Sequence, residues 1–238
     1  MTERFAFPVA EVRRANDCAT KLARFGYGDI PEDLILDPTP VLASFGCLQV
    51  KPGWRLSAYL SEGPNHQSTV VALAESDSAA HEPPSASDDG EPYPGAHFDI
   101  HLDLEVLLKC RPRFMTVVEG DGSPWSYLCA SLAVRQLIDF AAFWHARYRH
   151  DWFEHVVVAE WPGEFAESYI RFSTPQDLRA PEVEIDGGAV TTRFYTYRPP
   201  TFVDEEVWRH EDRYEAGSYE PLMRRALVAS GRRATRCY

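Results

Sequence analysis

Two hydrophobic periods divide the chain. One steps by three and four residues and marks helices, and the other steps by two and marks strands. The longest helical pattern follows Gly120 and Gly122, where Ser123-Pro124 supplies an N-cap hydroxyl and a proline at the first helical position. Tyr127, Ala130, Val134, Leu137, Ala141, Trp144 and Tyr148 then fall on one face, and Leu128, Leu132, Ile138 and Phe143 widen it. The spacing predicts a central core helix over Pro124–Tyr148, about 37 Å long at the α-helical rise. A second amphipathic helix is predicted from Val9 to Phe25, with Val9, Val12, Ala15, Ala19 and Leu22 on one side and Gly26 and Gly28 ending it. A short C-terminal helix capped by Ser218 is predicted to run towards Ala229, before Gly231.

Period-two patterning appears in several places. Trp54, Leu56, Ala58 and Leu60 alternate with Arg55, Ser57, Tyr59 and Ser61. A valine-rich run from Ser68 to Glu75 follows the turn-forming Glu62–Gln67, which predicts an antiparallel hairpin. Short strands are expected over Val156–Trp161 and Tyr169–Ser173. Asp186-Gly187-Gly188 then offers the positive φ angles of a tight turn between Pro181–Asp186 and Val190–Arg198, and a return strand runs from about Glu206 to Tyr214. Between the halves lies His97–Asp103. Either His97, Asp99, His101 and Asp103 share one side of a strand, or the segment is a loop leading into a helix around Leu104–Val118.

This order of elements predicts an α+β fold: an antiparallel sheet of several strands, with two or more hairpins, packed on a long central helix, with helices at both ends. One domain over residues 1–238 is expected. A flexible acidic loop at about 76–95 is polar and proline-broken, and a basic tail lies at about 231–238.

Charge narrows the partners. A net charge of −12 and a pI near 5.1 argue against nucleic acid. The arginines at 224, 225, 232, 233 and 236 read as a short exposed arm. No stretch is apolar enough to span a membrane, and the N-terminal segment carries charges where a signal peptide needs an apolar core. The five cysteines are widely spaced and form no CxxC, so a disulfide framework or zinc ribbon is not expected; Cys18 and Cys129 read as buried small residues. A reducing cytoplasm is the expected compartment.

The candidate chemistry is dispersed. Glu119 and Asp121 precede the central helix, where carboxylates favour the positive end of the helix dipole or pair to hold a cation. No GxxxxGK[ST] or GxGxxG motif occurs, so no cofactor is assigned. In His150–His155, Asp151 with His155 and His150 with Glu154 have a metal-ligand spacing, but HExxH is absent and no metal is assigned. In the strand Val207–Tyr214, the aromatics Trp208 and Tyr214 mark one face as inward, and His210 and Asp212 share it. Val207, Arg209, Glu211 and Arg213 then face solvent. A histidine two residues from an aspartate between aromatic walls is a candidate oriented general base.

The site set read from the sequence is therefore His210, Asp212, His155 and Glu119 for acid–base work, with Trp144, His145, Tyr127, Trp208 and Tyr214 lining a ligand pocket. It points to a protein that binds a polar or aromatic small molecule and acts on it as an acid–base enzyme. A non-catalytic interaction protein, with a second copy of the chain as one candidate partner, is the alternative. A metal-dependent hydrolase is the further one.

Overall fold

A computed structural model describes residues 2–24, 35–60, 68–74, 113–141, 152, 155–162, 170–171, 178–199 and 205–231. In chain order the elements are β1 (Glu3–Ala6), α1 (Val9–Ala23), β2 (Ile35–Leu36), α2 (Thr39–Ala43), β3 (Leu48–Val50), β4 (Trp54–Leu60) and β5 (Ser68–Ala74). A 3-10 turn (Arg113–Val117) leads into β6 (Val118–Gly120) and α3 (Pro124–Ile138). Then come β7 (Val156–Val158), β8 (Ile170–Arg171), β9 (Glu182–Asp186), β10 (Ala189–Arg198), β11 (Glu206–Glu215) and β12 (Leu222–Ser230). The fold is α+β, with a multi-stranded antiparallel sheet and few helices.

The main sheet is the meander β9-β10-β11-β12, extended by β1 at one end and β8 at the other. Its first turn follows from local chemistry: Gly187 and Gly188 hold φ at 57° and 97°, so Asp186 pairs directly with Ala189. One edge of β10 is shared, with β9 pairing along residues 189–193 and β7 along 195–197. A separate hairpin, β4-β5, runs from Trp54↔Ala74 to Leu60↔Ser68, and β3 pairs with β6 in a third small sheet.

Helix α3 lies on the main sheet against β9 and β10, with α1, β3 and β5 on its other sides. Every residue from Ser126 to Leu137 is buried, so the helix is enclosed all round rather than along one stripe. Its start is as the sequence implies: Ser123 Oγ accepts from the Ser126 N–H at 3.2 Å, and Pro124 opens the first turn. Its end is not. The helix stops at Ile138, and Asp139 is the C-cap. Continuing it would require the Ala141 N–H to donate within the helix. That N–H instead donates at 2.8 Å to the carbonyl of Ala23 at the end of α1, and Ala141 takes a positive φ of 53°. Residues 142–148 of the expected helix lie outside the described residues.

Three further expectations are corrected. The segment expected to form a C-terminal helix is β12, paired with β11 over eight registers from Arg213↔Leu222 to Glu206↔Ser230. Its Leu, Met, Arg and Ala residues are good helix formers, but tertiary pairing overrides local propensity. Arg224 and Arg225 are consequently half-buried in a strand, not on an exposed arm. On α1 the buried line is Val12, Asn16, Ala19 and Ala23, while Leu22 is 46% exposed and Cys18 is exposed. On the sheet face away from α3, Val207 is fully buried with Val158, Leu178, Tyr195, Val228 and Ala229, so that face is wet only beyond this second cluster. The acidic loop, the His97–Asp103 row and the residues after 231 lie outside the described residues.

Candidate functional site

The β10–β11 register sets Val190 opposite Tyr214, Thr192 opposite Asp212 and Phe194 opposite His210, all turned towards α3. Asp212 is fully buried, and Arg135 reaches down from α3 to meet it. The pair is bidentate, Nη1 to Oδ2 at 2.6 Å and Nη2 to Oδ1 at 2.9 Å, and Nη1 also donates to the Ser131 carbonyl at 2.5 Å. The guanidinium lies 5.5 Å from the Trp152 ring centre and 5.0 Å from that of Phe194, so cation–π contacts flank the ion pair.

One layer further along, Ser131 Oγ sits 2.7 Å from Thr192 Oγ1 and 2.6 Å from Tyr214 Oη. Burial pushes the Tyr214 phenol well above its ordinary range, and the Asp212 charge adds to this, so the group is held as a neutral hydroxyl. Tyr127 meets Tyr214 edge-on at 5.3 Å, stacks on Tyr219 at 4.8 Å and accepts the Gly217 N–H at 2.8 Å. These contacts make Tyr127 and Tyr214 braces of the core.

The centre of the site is a hydrogen-bonded chain of three side chains. Thr196 Oγ1 lies 2.9 Å from His155 Nδ1 and 2.8 Å from His210 Nε2. His155 immediately precedes β7, which pairs with the outer half of β10, and this brings it over Thr196. His155 stacks on Trp152 (centroids 5.6 Å apart, 15° between planes) and His210 on Phe194 (4.8 Å, 15°). Thr196 is fully buried, His210 is 2% exposed and His155 is 6% exposed.

Thr196 has one hydroxyl proton and makes these two side-chain hydrogen bonds. With both rings neutral, that proton serves one of the two nitrogens, and the other nitrogen must carry its own. His155 engages through Nδ1 and His210 through Nε2, so the rings share a tautomer: both carry the proton on Nδ1, or both on Nε2. If both facing nitrogens were protonated, the hydroxyl proton would be left buried and unsatisfied.

A second polar layer ties this centre to α1. Trp152 donates its backbone N–H to Asp139 Oδ2 at 2.9 Å and its Nε1–H to Asn16 Oδ1 at 3.2 Å. Gln136 Nε2 donates to Asn16 Oδ1 at 2.9 Å and Thr20 Oγ1 at 2.7 Å.

Of the residues read from the sequence, His210, Asp212, His155 and Tyr214 come together beneath α3. The partner that orients His210 is Thr196, however, because both Asp212 oxygens are engaged by Arg135. Trp208 lies at the half-buried end of the same strand face, where its Nε1–H donates to Glu206 at 2.8 Å. Glu119 belongs to the β3–β6 sheet and accepts from Gln49 Nε2 at 2.6 Å. Trp144, His145, His150, Asp151 and Glu154 lie outside the described residues, among which no group of three or more His, Cys, Asp or Glu is placed to hold a metal.

Arg135, Thr196 and Asn16 were missed. Arg135 had a signal, since it is the single charged residue of Pro124–Ile138 and a charge within an apolar helix needs a partner. Thr196 follows Thr192 and Phe194 in phase along β10, but nothing local marks it as a bridge. No known family matches the chain, and no significant similarity to a characterised protein or to a solved structure was found.

Proposed function

We propose that this is a cytoplasmic small-molecule-binding protein that acts as an acid–base enzyme on a polar or aromatic metabolite, with its site on the sheet face beneath α3. The observation that carries this reading is the His155–Thr196–His210 chain. A proton taken by one imidazole is matched by release from the other through a hydroxyl that both donates and accepts. The aromatic walls Trp152 and Phe194 keep the chain apart from bulk water, and such apolar walls with a few convergent polar groups suit an organic ligand. The buried Arg135–Asp212 pair fixes β11 against α3 and supports His210 in place.

The test is mass spectrometry of the untagged protein as purified from cells, native and then denatured. An organic adduct that is lost on denaturation, and is retained less by Thr196→Val, is the expected result. A bare chain in both variants contradicts the reading. One equivalent of metal would instead favour the hydrolase.

The second reading is a non-catalytic interaction protein that engages partners or a second copy of itself. Trp54 and Val156, exposed to 42% each, favour it. A bare chain whose native mass doubles with concentration would support it.

A further inference from the structure

Three guanidiniums, those of Arg135, Arg198 and Arg225, lie near enough to act on one another, and they differ in how their charge is met. Arg135 is held by Asp212. Arg198 is held by Glu206 at 2.9 Å, and the same Glu206 oxygen accepts the Trp208 Nε1–H at 2.8 Å. Arg225 is the exception. It stands beside His210 in the β11–β12 register, its guanidinium carbon 4.5 Å from the Trp208 ring centre. Its Nε is buried without an acceptor, and it makes no ion pair among the described residues. Burial works against its charge, as do Arg135 and Arg198, whereas Glu206 and Asp139 favour it. Both of those carboxylates already have other donors, Glu206 from Arg198 and Trp208, Asp139 from the Trp152 N–H.

A guanidinium stays protonated in a protein and presents a rigid planar fork of donors. Stacked on an indole it keeps its plane fixed and its edge N–H groups free to meet two oxygens of one anion. We propose that Arg225 is an oxyanion-binding residue of the site, and that the small molecule carries a carboxylate or a phosphate monoester; this rests on the small-molecule reading above. Trp208 stiffens the fork from below. Residues directly opposed in neighbouring antiparallel strands have Cβ atoms about 4.5–5.5 Å apart, so the anchored group sits within one side chain's reach of His210.

The experiment is a titration of the full chain with sodium phosphate and with sodium benzoate, against sodium chloride at constant ionic strength, read by tryptophan emission. At least one of the two anions is expected to give a saturable change that chloride does not. Phosphate alone would identify a phosphate monoester, and benzoate alone a carboxylate. Arg225→Gln is expected to raise the Kd about tenfold or more, the scale of a lost charge-assisted hydrogen bond. Arg225→Lys keeps the charge but not the fork and is expected to weaken binding by a smaller factor; it carries the test if Arg225→Gln fails to fold by circular dichroism. No saturable response to either anion, or an unchanged Kd in the variants, overturns the assignment. A neutral organic adduct on the cell-purified protein, with neither anion binding, would leave the small-molecule reading standing and remove Arg225 alone.

Discussion

Replacing Asp212 by Asn is the most informative change to the buried network. The side chain keeps its size, but it loses its charge and presents an amide NH2 to a guanidinium that is itself all donors. Asp212 is fully buried and Arg135 is 6% exposed, so water cannot take over the lost bond. The Trp152 and Phe194 rings still flank the cation, but ring contacts do not neutralise it. Breaking a buried pair from one side costs about 3–5 kcal/mol, a large part of the roughly 5–15 kcal/mol that holds a domain folded. Replacing both partners, Arg135→Met with Asp212→Leu, removes the uncompensated charge along with the pair. The double variant is therefore expected to be close to wild type and far more stable than Asp212→Asn. Urea unfolding at neutral pH, followed by tryptophan fluorescence, measures the wild type, Asp212→Asn, the double variant and its two single replacements, Arg135→Met and Asp212→Leu. A loss below about 1 kcal/mol in Asp212→Asn, or a double variant whose cost equals the sum of the two single replacements, would refute the reasoning.

Other consequences are independent of that pair. A methyl group on Gly120 would meet the Tyr219 ring at 2.5 Å, and that ring is fixed by stacking on Tyr127 and by its hydroxyl contact with Ser126 at 2.6 Å. Gly120→Ala is thus expected to cost about 1–3 kcal/mol in the same assay. A hydrogen bond with Cys129 lowers the Cys47 thiol below its ordinary range, whereas that bond and burial raise Cys129. Iodoacetamide should therefore modify Cys47 and the exposed Cys18 in the folded protein and spare Cys129 until unfolding, as peptide mapping would show. The hydrogen bond from Arg193 holds the Glu184 carboxyl below its ordinary value of 4.5. Its contribution is present above that value and lost as pH falls through the lowered folded one, so Arg193→Gln should flatten the acid limb of stability against pH.

The hairpins were legible in the sequence because their causes are local. Gly187 and Gly188 permit a turn that few other residues allow, and period-two alternation placed His210 and Asp212 on the inward face. The end of α3 was not legible, because it is decided by the Ala141 N–H finding the Ala23 carbonyl of another helix. Strand β12 was hidden for a related reason: helix-forming residues become a strand when β11 offers a paired edge. The site shows the same division. Alternation revealed which side chains point inward, but the partners of Asp212 and His210 come from α3 and β10, and a one-dimensional pattern does not say which residue of a facing element arrives opposite.

Thr196 joins two histidines into one unit. A long-range 1H–15N correlation spectrum of the imidazole side chains, assigned with His155→Phe and His210→Phe, tests this directly. Both rings are expected in the same neutral tautomer, and Thr196→Val should release each to its own equilibrium. Opposite tautomers in the wild type, or a spectrum unchanged by Thr196→Val, would contradict it.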